Sequence, residues 1–153
     1  MANTYYQIYL QTVFAVKHRQ ALINKEWSNE LYSTIGTLIN DTKCKTIIVN
    51  GVEDHVHCMI GLKPGISVSD LMKNIKAKSS KYINDKSLTK KRFEWQEGYG
   101  VFSYSHSHVY KVYDYIKNQE IHHQKTTFLE EYIYLLKMFN IDYNNEYIFH
   151  KPY

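Results

Sequence analysis

Residues 55–62 read His55-Val56-His57-Cys58-Met59-Ile60-Gly61-Leu62. Side chains in a strand alternate between faces, so His55, His57 and Met59 share one face, and Val56, Cys58, Ile60 and Leu62 the other. Just upstream, residues 46–49 form a β-branched run, and Asn50-Gly51 is a turn signal. The spacing predicts a hairpin whose second strand carries two imidazoles on one side.

Working outward, residues 5–16 also alternate, with Ile8, Leu10, Thr12, Phe14 and Val16 opposite Gln7, Tyr9, Gln11 and Val13. Trp27, Leu31, Ile35, Leu38 and Ile39 recur at helical spacing over about residues 25–41. Lys63-Pro64-Gly65 breaks the chain, and Ser67 with Asp70 resembles a capping box opening a second helix. That helix has Val68, Leu71, Met72, Ile75 and Tyr82 as its apolar positions. A short strand is expected at 101–104, then a helix capped by Ser107 and running to about His122, then a helix over roughly 127–139. The order predicts an α+β protein: a ferredoxin-like βαββαβ core with an antiparallel sheet, plus two C-terminal helices. One domain over 1–153 is expected, with its core at about 5–122 and a C-terminal helix and tail at about 127–153.

Composition narrows the class. The chain has 153 residues, 44% of them hydrophobic and 22% charged, and lacks a flexible linker, which argues against disorder or several domains. There is no apolar run long enough to span a bilayer and no secretory pattern, so neither a membrane partner nor export is expected. Two cysteines, Cys44 and Cys58, are too few for a disulfide scaffold, and a reduced cytoplasmic protein is the expectation. The formal net charge of +4 is unevenly spread. Lys73, Lys76, Lys78, Lys81, Lys86, Lys90, Lys91 and Arg92 face a single acid, Asp85, between positions 73 and 92; the region past Phe128 leans acidic.

Two imidazoles at i and i+2 can converge on a divalent ion, although a catalytic centre also needs a third ligand. Two ordinary histidines on a solvated sheet face would read the same way, and a second such pair occurs at His106 and His108. Tyr115 and Gln119 stand four apart and share a helical face away from the Val112/Ile116 stripe, a pattern that surface residues commonly give. The lysine-rich stretch suits contacts to phosphates, helped by Ser79 and Ser80, but also suits a solvated helix face. Phe93, Trp95 and Tyr99 could stack on bases, yet core positions are the more common use.

Glu53-Asp54-His55-Val56-His57, then Lys76-Ala77-Lys78-Ser79-Ser80-Lys81, then Tyr115-Ile116-Lys117-Asn118-Gln119 occur in that order. This ordered set resembles the IS200/IS605-type single-tyrosine transposases of the His-hydrophobe-His (HUH) nuclease superfamily. The resemblance implies that His55, His57 and Gln119 ligate Mg²⁺ or Mn²⁺ and that Tyr115 is the nucleophile. It also implies cleavage and rejoining of single-stranded DNA, with hairpins at the element ends, through a 5′-phosphotyrosine. Lys17, Arg19, Lys76, Lys78 and Lys81 would help to grip the DNA, and Asp54 would act behind the histidines or in the turn. The family implies a homodimer in which each tyrosine helix completes the other subunit's site. Two alternatives stand beside this reading. One is a noncatalytic nucleic-acid-binding ferredoxin-like module, and the other a metal-dependent phosphodiesterase in which water attacks.

Overall fold

The computed structural model describes residues 3–144. Four strands, β1 (Tyr9–Ala15), β2 (Lys45–Val52), β3 (His55–Gly61) and β4 (Gly100–Tyr104), pair antiparallel in the order β2-β3-β1-β4. Helix α1 (Lys25–Asp41) connects β1 to β2, and α2 (Val68–Asp85) lies between β3 and β4. This is the ferredoxin-like βαββαβ arrangement, with β1 and β3 in the middle of the sheet. Three more helices follow: α3 (Val109–Lys117), α4 (Gln119–His122) and α5 (Phe128–Met138). Among the described residues, no helix is long and apolar enough to cross a membrane.

The first sheet face carries the main core. Helix α1 starts where the Asn24 side chain accepts a hydrogen bond from the Glu26 N–H, and it buries Trp27, Leu31, Ile35 and Ile39 at four-residue spacing. In α2 the Ser67 side chain caps the Asp70 N–H, and the buried stripe is Leu71, Met72, Ile75, Ser79 and Ile83. Both stripes pack on Leu10, Phe14, Val56, Cys58 and Ile60, joined by Phe93 and Trp95. Burying side chains of this size contributes roughly 1.5–3 kcal/mol each. Cys58 is fully buried, and desolvation pushes its thiol pKa up to about 12. Phe93 and Trp95 are core, so among the three candidate stacking aromatics only Tyr99 is exposed. Ser79 is buried too, accepting the Trp95 indole N–H at 2.9 Å, and is not a phosphate contact.

The second face is covered by α3, α4 and α5, and three local expectations change here. Strand β1 begins at Tyr9, four residues later than its alternation suggested. The hairpin turns at Glu53-Asp54, leaving Asn50 and Gly51 inside β2. Gly51 serves close approach instead: a Cβ there would lie 2.2 Å from the His55 carbonyl oxygen. Ser107 lies in a short 3₁₀ turn and does not cap α3, which starts at Val109.

The helix expected to run to His122 breaks at Asn118, whose backbone (φ −98°, ψ 22°) is outside the helical range. Asn50 explains how the break is held. Its side-chain amide donates to the carbonyls of Ile116 (2.9 Å) and Lys117 (3.1 Å) at the helix end, where carbonyls lack their usual intrahelical partners.

Replacing Gly51 by alanine forces a carbonyl of the neighbouring strand to move. Gly51→Ala should destabilise the protein by about 1–3 kcal/mol in urea unfolding; an unchanged midpoint would contradict the close approach.

Candidate active site

Strand β3 delivers His55 and His57 to the second face, where α4 and α5 cover them and both are fully buried. The solvated sheet face considered for these residues is therefore not what forms. Each ring is held from behind. His55 Nδ1 lies 2.7 Å from Asp54 Oδ1, so the turn residue before the pair directs its neighbour's Nε2 toward the helices. His57 Nδ1 lies 2.8 Å from the amide nitrogen of Gln11 on β1, whose oxygen accepts from the Tyr104 hydroxyl at 2.8 Å. An amide and a hydroxyl can each donate or accept, so this relay can serve either neutral tautomer of His57.

Gln119 is fully buried, not on a surface stripe. The break at Asn118 turns it inward, and its side-chain oxygen sits 3.3 Å from His55 Nε2. Tyr115, half-buried on the last turn of α3, packs edge-on to His57 with ring centroids 6.0 Å apart. The structure thus brings together His55, His57, Gln119 and Tyr115 of one chain.

A residue that motif reasoning missed stands at their centre. Glu131 on α5 is 2% exposed. Its Oε1 lies 2.9 Å from His57 Nε2, 3.3 Å from His55 Nε2 and 3.1 Å from His123 Nε2. Its Oε2 accepts from the Tyr115 hydroxyl and, at 3.1 Å, from the Gln119 amide, with His122 Nε2 3.8 Å away. A signal for it does exist in the sequence. Phe128, Glu131 and Leu135 fall on one helical face, so a carboxylate interrupts the apolar stripe of α5. Phe128 in turn stacks flat on His55, at 4.1 Å and 6°.

The electrostatics follow from burial and these contacts. Burial would raise the pKa of Glu131, but the imidazoles of His57, His123 and His55 that face it outweigh burial and hold the carboxyl far below its usual range. Burial would lower the pKa of His55, yet the flanking Asp54 and Glu131 carboxylates push it up instead. For His57 burial prevails and the pKa falls. Tyr115 is raised by burial and then by the adjacent Glu131 charge, so it rests as a phenol. Two imidazoles, an amide oxygen and a carboxylate on one point also make a donor set fit for a divalent ion, and His55, His57, His123 and Glu131 offer ligand atoms within 4.8 Å of one another.

The family profile described as "Transposase IS200 like" matches residues 4–119. This chain belongs to the IS200-like transposase family. It is 27% identical over 124 residues to the transposase for insertion sequence element IS200 of Salmonella typhimurium, a match spanning 78% of this chain and 81% of that one. A structure from Deinococcus radiodurans R1, named for a transposase, shares the fold with a TM-score of 0.63 and 19% identity, covering 78% of this chain and 95% of that chain. A REP-associated tyrosine transposase, solved bound to a REP hairpin, is also similar in fold (TM-score 0.59, 17% identity), covering 80% and 73%. Membership carries with it a DNA-cleaving enzyme class.

The basic residues of this family member lie elsewhere. Helix α2 is on the opposite sheet face from the histidines. There Lys78 is exposed, and Lys81 is exposed but paired with Asp85 at 2.5 Å. Lys76 is half-buried and donates to the carbonyls of Gln96 (2.7 Å) and Gly98 (2.8 Å), so its ammonium holds the 86–99 segment in place. Lys17 pairs with Glu94 at 2.9 Å, and Arg19 follows it in a left-handed backbone turn (φ 52°). An open groove of about 830 Å³ between α2 and residues 87–97 carries Lys81, Lys90, Lys91 and Arg92.

Glu131 has a folded pKa below its unfolded value of about 4.3, so its stabilising contribution is present above that pH and drains away as pH falls further. In EDTA, thermal unfolding of wild-type protein should therefore drop on acidification below about pH 4.3, and Glu131→Gln should flatten that limb. An equally steep limb in the variant would contradict the assignment.

Proposed function

We propose that this chain cuts and rejoins single-stranded DNA at the ends of its element, with Tyr115 as nucleophile and a divalent ion, Mg²⁺ or Mn²⁺, held by His55, His57 and Gln119. The observation that carries the reading is the arrival of Tyr115, one helical turn before Gln119, beside two buried imidazoles directed from behind by Asp54 and Gln11. A lone phenol on a helix surface would have no such company. The ion, when bound, supplies a Lewis acid that polarises the scissile phosphate.

The chain's own residues account for the rest. Tyr115 Oη gives up its proton and forms a bond to phosphorus while the bond from phosphorus to the 3′ oxygen breaks; the leaving 3′ oxygen takes up a proton to become a 3′-OH, and Tyr115 is left joined to the 5′ phosphate. Attack of a 3′-OH on that linkage reverses the step and restores the phenol, so no nucleotide cofactor is consumed. Phosphate approaches from the side of Tyr115 and His122. Tyr115 is half-buried and the His122 side chain is 39% exposed, whereas the histidine pair is enclosed.

Hairpin DNA would lie against the α2 groove on the other sheet face, where Lys81, Lys90, Lys91 and Arg92 supply phosphate contacts, with Arg19 and the exposed Lys78 of α2 as further candidate contacts. The homodimer implied by the family need not exchange tyrosine helices in this state. Tyr115 is next to its own chain's His57, and Asn50 of the same chain holds the end of its helix. We assign the nucleophile to its own chain's histidines, with any dimer contact made through another surface.

Labelled single strands covering the element ends, incubated with protein and Mg²⁺, test the chemistry on a denaturing gel. Wild type should give a metal-dependent covalent protein–DNA band, and Tyr115→Phe should give neither band nor cleavage. His57→Ala should lose cleavage while still binding the hairpin. Cleavage by Tyr115→Phe would instead indicate attack by water, and hairpin binding without cleavage by wild type would indicate a binding module.

A further inference from the structure

Glu131 lies beyond residue 119, where the match to the family ends, and its two carboxylate oxygens do different things. Oε1 faces the imidazoles, at 2.9 Å from His57 Nε2 and 3.3 Å from His55 Nε2. Oε2 faces away from them, accepting from Tyr115 and from the Gln119 amide. We propose that Glu131 is itself a protein ligand of the divalent ion through Oε1, completing a His55/His57/Gln119/Glu131 donor set, while Oε2 tethers the Tyr115 hydroxyl. The inference rests on the reading that this site binds an ion, and it adds a ligand from a helix outside the family match.

The spacing of the donors is the first argument. An octahedral ion with bonds of about 2.1 Å holds neighbouring donors about 3.0 Å apart. The separations of Glu131 Oε1 from His57 Nε2 (2.9 Å), and of both Glu131 Oε1 and Gln119 Oε1 from His55 Nε2 (3.3 Å each), are of that size. The second argument is charge. Two imidazoles and an amide are neutral, and a dication enclosed by neutral ligands at a fully buried position carries a heavy desolvation cost before any phosphate arrives. One ionised carboxylate in the ligand set halves that net charge, and Asp54 behind His55 offsets more of it.

The third argument is connectivity. A monodentate carboxylate has a second oxygen to spare, and here that oxygen holds the hydroxyl of Tyr115. The same group then couples the ion's position to the nucleophile's. His123 Nε2 is 3.1 Å from the same Oε1, and its ring packs edge-on against His55 at 4.5 Å, so it lines the same polar cluster.

Calorimetric titration of the full chain with MnCl₂, without DNA, tests this directly. Wild type should bind one Mn²⁺ per chain, and Glu131→Gln should weaken binding more than about 100-fold, beyond the 10–100-fold that loss of an outer hydrogen-bond partner costs. A smaller loss, unchanged binding or tighter binding in the variant would overturn the ligand role and leave a site of two histidines and an amide. Absence of Mn²⁺ binding by wild type would remove the metal reading and this inference with it. Should Glu131→Gln fail to fold by circular dichroism, infrared difference spectra of wild type with and without one equivalent of Mn²⁺ serve instead. A carboxylate band assigned by ¹³C-glutamate labelling should shift on binding, and no shift would overturn the proposal.

Discussion

An ionised carboxylate buried among three imidazoles, an amide and a phenol constrains everything on the second face of this sheet. Glu131 cannot reach water at 2% exposure, so each of its oxygens must be met by the protein. The partners come from β3, α3, α4 and the segment that follows α4, so one carboxylate ties several elements together. Removing one side of such a buried pair costs roughly 3–5 kcal/mol because the other is left uncompensated. The same contacts that hold α5 on the sheet therefore hold the reactive groups in register.

The two faces of the sheet divide the work. Helices α1 and α2 build one continuous apolar core with β1 and β3. Opposite them the apolar material is split into two small clusters, one around Val13, Phe102 and Leu135 and the other around Met59, Val112 and Ile116. The polar group of His55, His57, Gln119 and Glu131 falls between them. A layer held by two small clusters and a charged seam opens at lower free energy than a full core, which suits the face to which we assign the proposed chemistry.

Much of this was legible from residue pattern. Alternation in β3 put both histidines on one face, helical spacing found α1 and α2, and the element order led to the ferredoxin-like sheet. The hairpin turn was misplaced because Asn-Gly is a turn signal by local chemistry, whereas Gly51 is used for a tertiary close approach invisible to local chemistry. Gln119 looked like a surface residue because an unbroken helix was assumed; the break at Asn118 depends on Asn50, far away in sequence. Gln11 could not be paired with His57 without the β1–β3 register. Glu131 was hidden among neighbouring acids, although its position in the apolar stripe of α5 marks it as a charge with a buried partner.

The central claim is that one chain assembles a metal centre from His55, His57, Gln119 and Glu131 and holds its own Tyr115 beside it. A crystal structure of the protein grown with Mn²⁺, with anomalous data collected at the manganese edge, tests it most directly. The account predicts one strong peak about 2.2 Å from His55 Nε2, His57 Nε2 and a Glu131 oxygen, with Tyr115 of the same chain adjacent. A peak without Glu131, a neighbouring tyrosine from a second chain, or no peak between the imidazoles would contradict it.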